Sequence, residues 1–327
     1  MEKSLLIHNN IIVYYHYQLY IYVYYCKQTN TANSGQKRCK NAPSTSASAS
    51  CQRSLNLPNY IKIMRLGIIS ALYEEQQGLV EAMGGAYKLI HGQREYWVGQ
   101  LWEIDAVCVL SRIGKVAAAL TATTLVEKFG VTHILFTGVA GAGDKTVQVG
   151  DIVVAESLIQ HDMDASPLFP RFEVPLTGLT HFPADHRLAA RLMDAAQAFL
   201  DQDFVDAIDP LEKAAFRLAR PRIHRGLIAS GDQFVNDREH INGLNAALPG
   251  LVAVEMEGAA VAQVCYELGL PCAVIRTISD NANENAATDF MRFVKSVAAR
   301  YAFHIVRRFC LETEGSLVQA SSESAGV

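Results

Sequence analysis

None of the seven cysteines belongs to a CxxC pair, so the chain encodes neither a zinc ribbon nor a disulfide scaffold. A basic excess is missing as well: 29 Lys and Arg stand against 33 Asp and Glu, a net charge of -4. A general nucleic-acid binder presents a basic face, and that class is set aside. No clean apolar run reaches membrane-spanning length. Residues 5–25 are apolar by count, but His8, Asn9, Asn10, His16 and Gln18 interrupt them, whereas a spanning helix wants about 20 predominantly apolar residues. Nor is there a GxGxxG loop. The cluster Gly138-Val139-Ala140-Gly141-Ala142-Gly143 has the wrong spacing, and VQVGDIVV after it reads as a strand rather than a helix. That argues against a nicotinamide cofactor. What is present is 50% hydrophobic and 19% charged residues over 327 positions, enough to bury a sizeable core.

Composition breaks near Met64. Eight of the thirteen tyrosines and three of the seven cysteines precede it, and that segment carries +6 where the remainder carries -10. Residues 29–54, rich in Ser, Thr, Ala and Asn, read as disordered. A signal peptide would need basic residues ahead of a cleaner apolar core and a small-residue cleavage site. The acid-poor, Ser-rich composition leaves an organelle transit peptide as an alternative, although Arg38 and Arg53 are its only arginines. The preferred reading of residues 1–63 is a disordered extension or a mispredicted translation start, with initiation at Met64 and a cytoplasmic product. Residues 64–310 form the globular domain, and the Ser/Glu-rich tail 311–327 is expected to fray.

From Met64 the pattern is apolar strand, short loop, helix, repeated, which predicts an α/β fold. Strands are predicted at 65–70, 95–100, 105–111, 133–136, 151–160, 222–230, 251–254 and 272–278. Helices are predicted from Glu74, over 114–129 closed by Gly130, over 185–200, over 257–268 closed by Gly269, and over about 289–309. Residues 201–221 read as a polar surface connection. Cys265 and Cys272 fall on apolar faces and read as core. His161 and Asp162 read as a hydrogen-bonded structural pair in preference to a metal site.

Acidic residues recur where predicted strands end. The first strand runs into Ala71-Leu72-Tyr73-Glu74-Glu75, a later one into Glu255-Met256-Glu257-Gly258, and another into Ser279-Asp280. Taken singly, a Glu opening a helix caps the first turn or complements the helix dipole. Taken together, carboxylates at the mouths of three strands can converge on one pocket, as hydrolysis of a glycosidic bond requires.

The motifs MRLGIISALYEE, SRIGKVAAALTAT, TGVAGAG followed by VGDIVVA, HDMDA, GLIASGDQFV, AVEMEGAAVAQVC and VIRTISD, in this order, span Met64 to about Cys310. The chain thereby resembles the 5'-methylthioadenosine/S-adenosylhomocysteine nucleosidase family of the purine nucleoside phosphorylase superfamily. The resemblance implies a three-layer α/β/α sandwich with a mixed central sheet. It implies a homodimer whose 5' pocket is closed by the partner chain, and neither metal nor cofactor. Asp280 matches the general acid that protonates adenine N7, its proton held by burial or hydrogen bonding, with Ser279 orienting it. Glu75 matches the residue that activates water. Glu257 matches the carboxylate that binds the ribose hydroxyls, with Met256 packed on the sugar. Phe234 matches the aromatic stacked on the purine, and the Val235 main chain reads the purine edge. Arg276 and Glu255 take supporting roles, and Phe290 borders the sugar or its 5' substituent.

Three departures stand out. Val139 replaces a serine whose hydroxyl, in many relatives, helps organise the nucleophilic water. Arg112 stands where relatives often have glycine, and an arginine near the pocket points towards an anion. Residues 166–180 differ from the pattern in a region that helps form the 5' pocket. Two alternatives therefore stay open: a phosphorylase or a hydrolase of another 5'-substituted nucleoside such as a futalosine, and a non-catalytic nucleoside-binding or storage protein.

Overall fold

A computed structural model describes residues 7–8, 11–16, 20–25, 64–235, 237–280 and 286–324. The chain divides into two compact units, Met1–Tyr60 and Ile61–Val327. In the first, β1 (Ile7–His8), β2 (Ile11–His16) and β3 (Tyr20–Tyr25) pair antiparallel in that order. Their Ile, Val and Tyr side chains favour pleated backbone. The stretch 29–54, predicted to be disordered, lies outside the described residues.

The second unit opens with β4 (Arg65–Ser70), α1 (Tyr73–Ala82), β5 (Gly84–His91), β6 (Arg94–Leu101) and β7 (Ile104–Leu110). Next come α2 (Lys115–Phe129), β8 (His133–Ala142), β9 (Ile152–Gln160), β10 (His181–Pro183) and α3 (His186–Gln202). Two short helices, α4 (Phe204–Ala207) and α5 (Pro210–Ala215), lead to β11 (Ile223–Ser230), α6 (Arg238–Ala247) and β12 (Leu251–Glu255). The unit ends with α7 (Gly258–Leu268), β13 (Cys272–Asp280), α8 (Ala286–Phe293), a π-helical turn (Val294–Ala298) and α9 (Ala299–Ser324).

The sheet runs β10-β9-β11-β12-β8-β4-β7-β6-β5, and β13 pairs with both β8 and β9. β13 lies parallel to β8 and antiparallel to β9, so it closes a ring of five strands with β9, β11, β12 and β8. Alternate side chains of each strand go to opposite faces. Leu66, Ile68, Ile152, Val154 and Ile275 join the core beneath α1, α3 and α9. Ile69, Val153, Phe136 and Val274 join the core beneath α2 and α7. Helices thus cover both faces of a mixed sheet, the three-layer sandwich that the resemblance implied.

The helix ends predicted from glycine hold for a local reason. Gly130 and Gly269 take left-handed backbone at φ 63° and 66°, where a side chain would cost about 1–2 kcal/mol. Asp185 caps α3 by accepting from the Leu188 N–H at 2.9 Å. Two segments differ from expectation. The strand predicted at 133–136 runs on through the glycine cluster, since β8 continues to Ala142. Residues 201–221 are not a plain connection, since α4 and α5 fold there with Phe204 buried in the core.

Candidate active site

Each of the three carboxylate clusters sits where a strand hands over to a loop or helix. Glu75 lies in the first turn of α1, just past β4; Glu257 precedes α7, just past β12; Asp280 is the last residue of β13. Because β4 and β13 flank β8 and β12 pairs with its far end, the three meet at one cleft. The cleft encloses about 790 Å³ of space, its open mouth included. All eleven site residues predicted from sequence line it: Glu75, Val139, Phe234, Val235, Glu255, Met256, Glu257, Arg276, Ser279, Asp280 and Phe290.

Glu75 is 2% exposed. Its Oε2 accepts from the Ala71 and Leu72 N–H groups at 3.0 and 2.9 Å, which satisfies the start of α1. Its Oε1 accepts from the Val139 N–H at 3.1 Å and faces the cleft beside Arg276. The helix-capping role and a site role therefore coexist in one side chain. Burial pushes this carboxyl above its usual range, and the Leu72 N–H, the Arg276 guanidinium and the other two N–H groups oppose that without cancelling it.

Arg276 is fully buried and satisfied by protein. It donates to the Phe136 and Ile275 carbonyls at 3.1 and 3.0 Å and to Glu255 Oε2 at 2.7 Å, with its guanidinium carbon 4.1 Å from the Phe136 ring centre. Glu255 also accepts from the Ser230 hydroxyl and from the Glu257 and Gly258 N–H groups, so it caps the entry of α7. Among the described residues Glu257 has one donor, the Gly114 N–H at 2.8 Å, and its carboxylate lines the cleft with acceptor capacity to spare. Burial and then the Glu255 charge push its carboxyl up to about 7, against the pull of Gly114 and Arg276.

Asp280 is 6% exposed, and Ser279 Oγ donates to its Oδ2 at 2.9 Å. The glycines of β8 that line the cleft also lie against its carboxylates. A Cβ on Gly138 would stand 3.3 Å from Glu75 Oε1, and one on Gly141 would stand 3.3 Å from Asp280 Oδ1. Both positions leave room for the site's own carboxylates. Phe234 and Phe290 form the outer wall, ring centres 6.4 Å apart and nearly perpendicular.

Sequence reasoning missed Gly114, Ser230 and Phe136, although the first two lie inside SRIGKVAAALTAT and GLIASGDQFV, because their contributions run through main chain or through another residue. Its suspicion about Arg112 is corrected. The side chain donates to the Gln93 carbonyl at 2.5 Å and is not part of the cleft lining. Arg112 sits at φ 67°, which accounts for the fit of glycine at this position.

Comparison with known proteins identifies the fold and the family. A model of the phosphorylase superfamily matches residues 65–310. A curated 5'-methylthioadenosine/S-adenosylhomocysteine nucleosidase of Shewanella denitrificans is 34% identical over 243 residues, 74% of this chain and 97% of that protein. The Streptococcus pneumoniae nucleosidase solved with a transition-state inhibitor superposes at TM-score 0.65 and 32% identity, covering 76% of this chain and 98% of that one. A futalosine hydrolase of Helicobacter pylori matches at the same TM-score, identity and coverage. The chain belongs to the phosphorylase superfamily and, within it, to the 5'-methylthioadenosine/S-adenosylhomocysteine nucleosidases.

Proposed function

We propose that the domain at 64–310 hydrolyses the N-glycosidic bond of 5'-methylthioadenosine and S-adenosylhomocysteine, releasing adenine and the 5'-thio-ribose. The observation that carries this reading is the meeting of Glu75, Glu257 and Asp280 in one largely apolar cleft beside two aromatic rings. Phe234 stacks on the purine and the Val235 main chain reads its edge. Met256 packs on the ribose, and Glu257 accepts from its hydroxyls. As the C1'–N9 bond breaks, positive charge grows on the sugar and the Glu257 anion offsets it. Asp280, steadied by Ser279, gives its proton to N7 so that adenine leaves neutral. Glu75 takes a proton from water as the oxygen bonds to C1', and exchange with solvent resets both carboxyls. Val139 contributes its N–H to Glu75 where a serine would have offered a hydroxyl.

Water is favoured over phosphate as the nucleophile. Two carboxylates line the sugar side and repel an anion, while Arg276 is committed to Glu255 and Arg112 to Gln93. A futalosine-type substrate is the second reading, favoured by the Helicobacter neighbour. It would differ at the 5' end, near Ile113 and Phe290. Ile113 lines the cleft yet is 58% exposed, and Val116 and Leu176 on the surface are 81% and 91% exposed. These apolar side chains support a homodimer in which the partner completes the 5' wall. The four described cysteines, Cys108, Cys265, Cys272 and Cys310, are buried thiols, in keeping with a cytoplasmic enzyme.

Adenine release from both thio-nucleosides, with inosine and futalosine as controls and with or without phosphate, tests the proposal. Free 5'-thio-ribose independent of phosphate is the expected product. Ribose-1-phosphate chemistry, or faster turnover of futalosine, would replace it with one of the alternatives. Solution mass tests the dimer.

A further inference from the structure

The loop 231–235, which carries Gln233, Phe234 and Val235 into the cleft, is tied down at two successive residues before it gets there. Gly231 is the first: its N–H donates to the Glu255 carbonyl at 3.1 Å, and it presses on the His161 ring so closely that a Cβ there would stand 2.2 Å from Nε2. Asp232 is the second. Its N–H donates to Asp162 Oδ2 at 2.9 Å, and its Oδ1 accepts from the Lys115 N–H at 2.8 Å. The Lys115 ammonium lies between the two acids, 2.5 Å from Asp162 and 3.9 Å from Asp232. One residue earlier, the Gly114 N–H holds Glu257 at 2.8 Å. Gly114 takes φ 100°, and a Cβ on it would come within 3.2 Å of Asp232 Oδ1. The N-terminus of α2, whose dipole favours negative charge, therefore grips the ribose carboxylate with one residue and the purine loop with the next.

We propose that Lys115, Asp162 and Asp232 form an ionic clasp that sets the purine-reading loop in register with Glu257, which makes Lys115 a positioning residue for purine recognition. Surface ion pairs as such contribute little. Here the Lys115 side chain is only 15% exposed and that of Asp162 23%, and although that of Asp232 is 50% exposed, each of the three takes part in a further hydrogen bond or ion pair. Burial pushes the Asp162 carboxyl up, but the Lys115 ammonium and the Asp232 N–H outweigh it and hold it below the usual range. Without Lys115, Asp162 and Asp232 face each other as like charges, and the loop moves away from the cleft.

The clasp rests on the purine reading of Phe234 and Val235, so its test needs one measurement that does not. In the full-length chain, Lys115→Met should raise KM for 5'-methylthioadenosine and the Kd for adenine by about tenfold, with kcat changed by less than about threefold. Lys115→Arg should recover most of the loss, and Asp162→Asn should show a smaller loss of the same kind. Hydrogen exchange at the amides of residues 232–235 should speed up in Lys115→Met, whatever the substrate proves to be. Unchanged KM, adenine Kd and exchange would overturn the clasp, as would Lys115→Arg behaving like Lys115→Met. Should Lys115→Met fail to fold, Asp162→Asn decides alone, and wild-type values there would overturn it. A wild-type chain inert towards both thio-nucleosides would sink the functional proposal, and the exchange result would then judge the clasp.

Discussion

The floor and the rim of the cleft are built differently. On the floor, Glu75, Glu257 and Asp280 are 2%, 5% and 6% exposed, and each is held by main chain or by a neighbouring side chain. On the rim, Phe234 is 52% and Ile113 58% exposed. Groups that move protons need fixed distances and a dry setting, and the ends of β4, β12 and β13 supply both. Groups proposed to hold the purine and the 5' substituent, Phe234 and Ile113, need apolar area, which one chain leaves open to water here. The proposed chemistry thus draws only on residues of this domain, while the proposed second copy would finish the wall around the substrate.

If this division holds, floor substitutions change kcat and rim substitutions change KM. Asp280→Asn should lower kcat by on the order of 10²–10⁴-fold while leaving the affinity for a nucleoside analogue nearly intact; near-normal turnover would place the acid elsewhere. Phe234→Ala should raise KM by about tenfold or more, as expected for one lost base–aromatic stack, with kcat changing much less. Equal losses in both parameters would erase the distinction between floor and rim.

A third prediction sharpens the comparison through pH. Burial disfavours the Glu257 anion in the cleft and raises its carboxyl to about 7, whereas on the proposed reading it is the anion that accepts from the ribose hydroxyls. Nucleoside binding must therefore expel a proton below about pH 7 and need not do so above it. KM for 5'-methylthioadenosine should fall as pH rises through about 7, and Glu257→Gln should flatten that profile. The sign for stability is opposite. A folded carboxyl raised above its unfolded value of about 4.3 stabilises at low pH and loses that contribution as pH rises towards 7. Wild-type Tm should drop between pH 5 and pH 8 more than that of Glu257→Gln. Last, removal of residues 1–63 should leave kcat/KM within about twofold, because every cleft residue follows Met64.

Much of the domain could be read one element at a time. Strand β4 and the helices closed by Gly130 and Gly269 are local objects, specified by an apolar run or by one glycine at positive φ. Where reading failed, distant residues decide. The glycine cluster becomes strand because β13 pairs along it, Arg276 against Gly138 and Asp280 against Gly141, residues that meet only after folding. Residues 201–221 look polar, yet Phe204 finds a place against Phe199 and Tyr301. The edge strand β5 escaped because it is exposed along its whole length and shows no buried alternation. The helix α6 likewise buries little besides Leu244.

The amino-acid sequence alone determined which acids and aromatics are present and which turn of backbone carries each, since capping, glycine geometry and apolar periodicity act over a few residues. Tertiary structure decided what those groups can do. The environment of Glu257 depends on Glu255, Arg276 and the Gly114 N–H, the last 143 positions away in the chain. Electrostatic coupling depends on distance through space and on the water excluded between charges, and neither exists until β13 closes against β8 and β9.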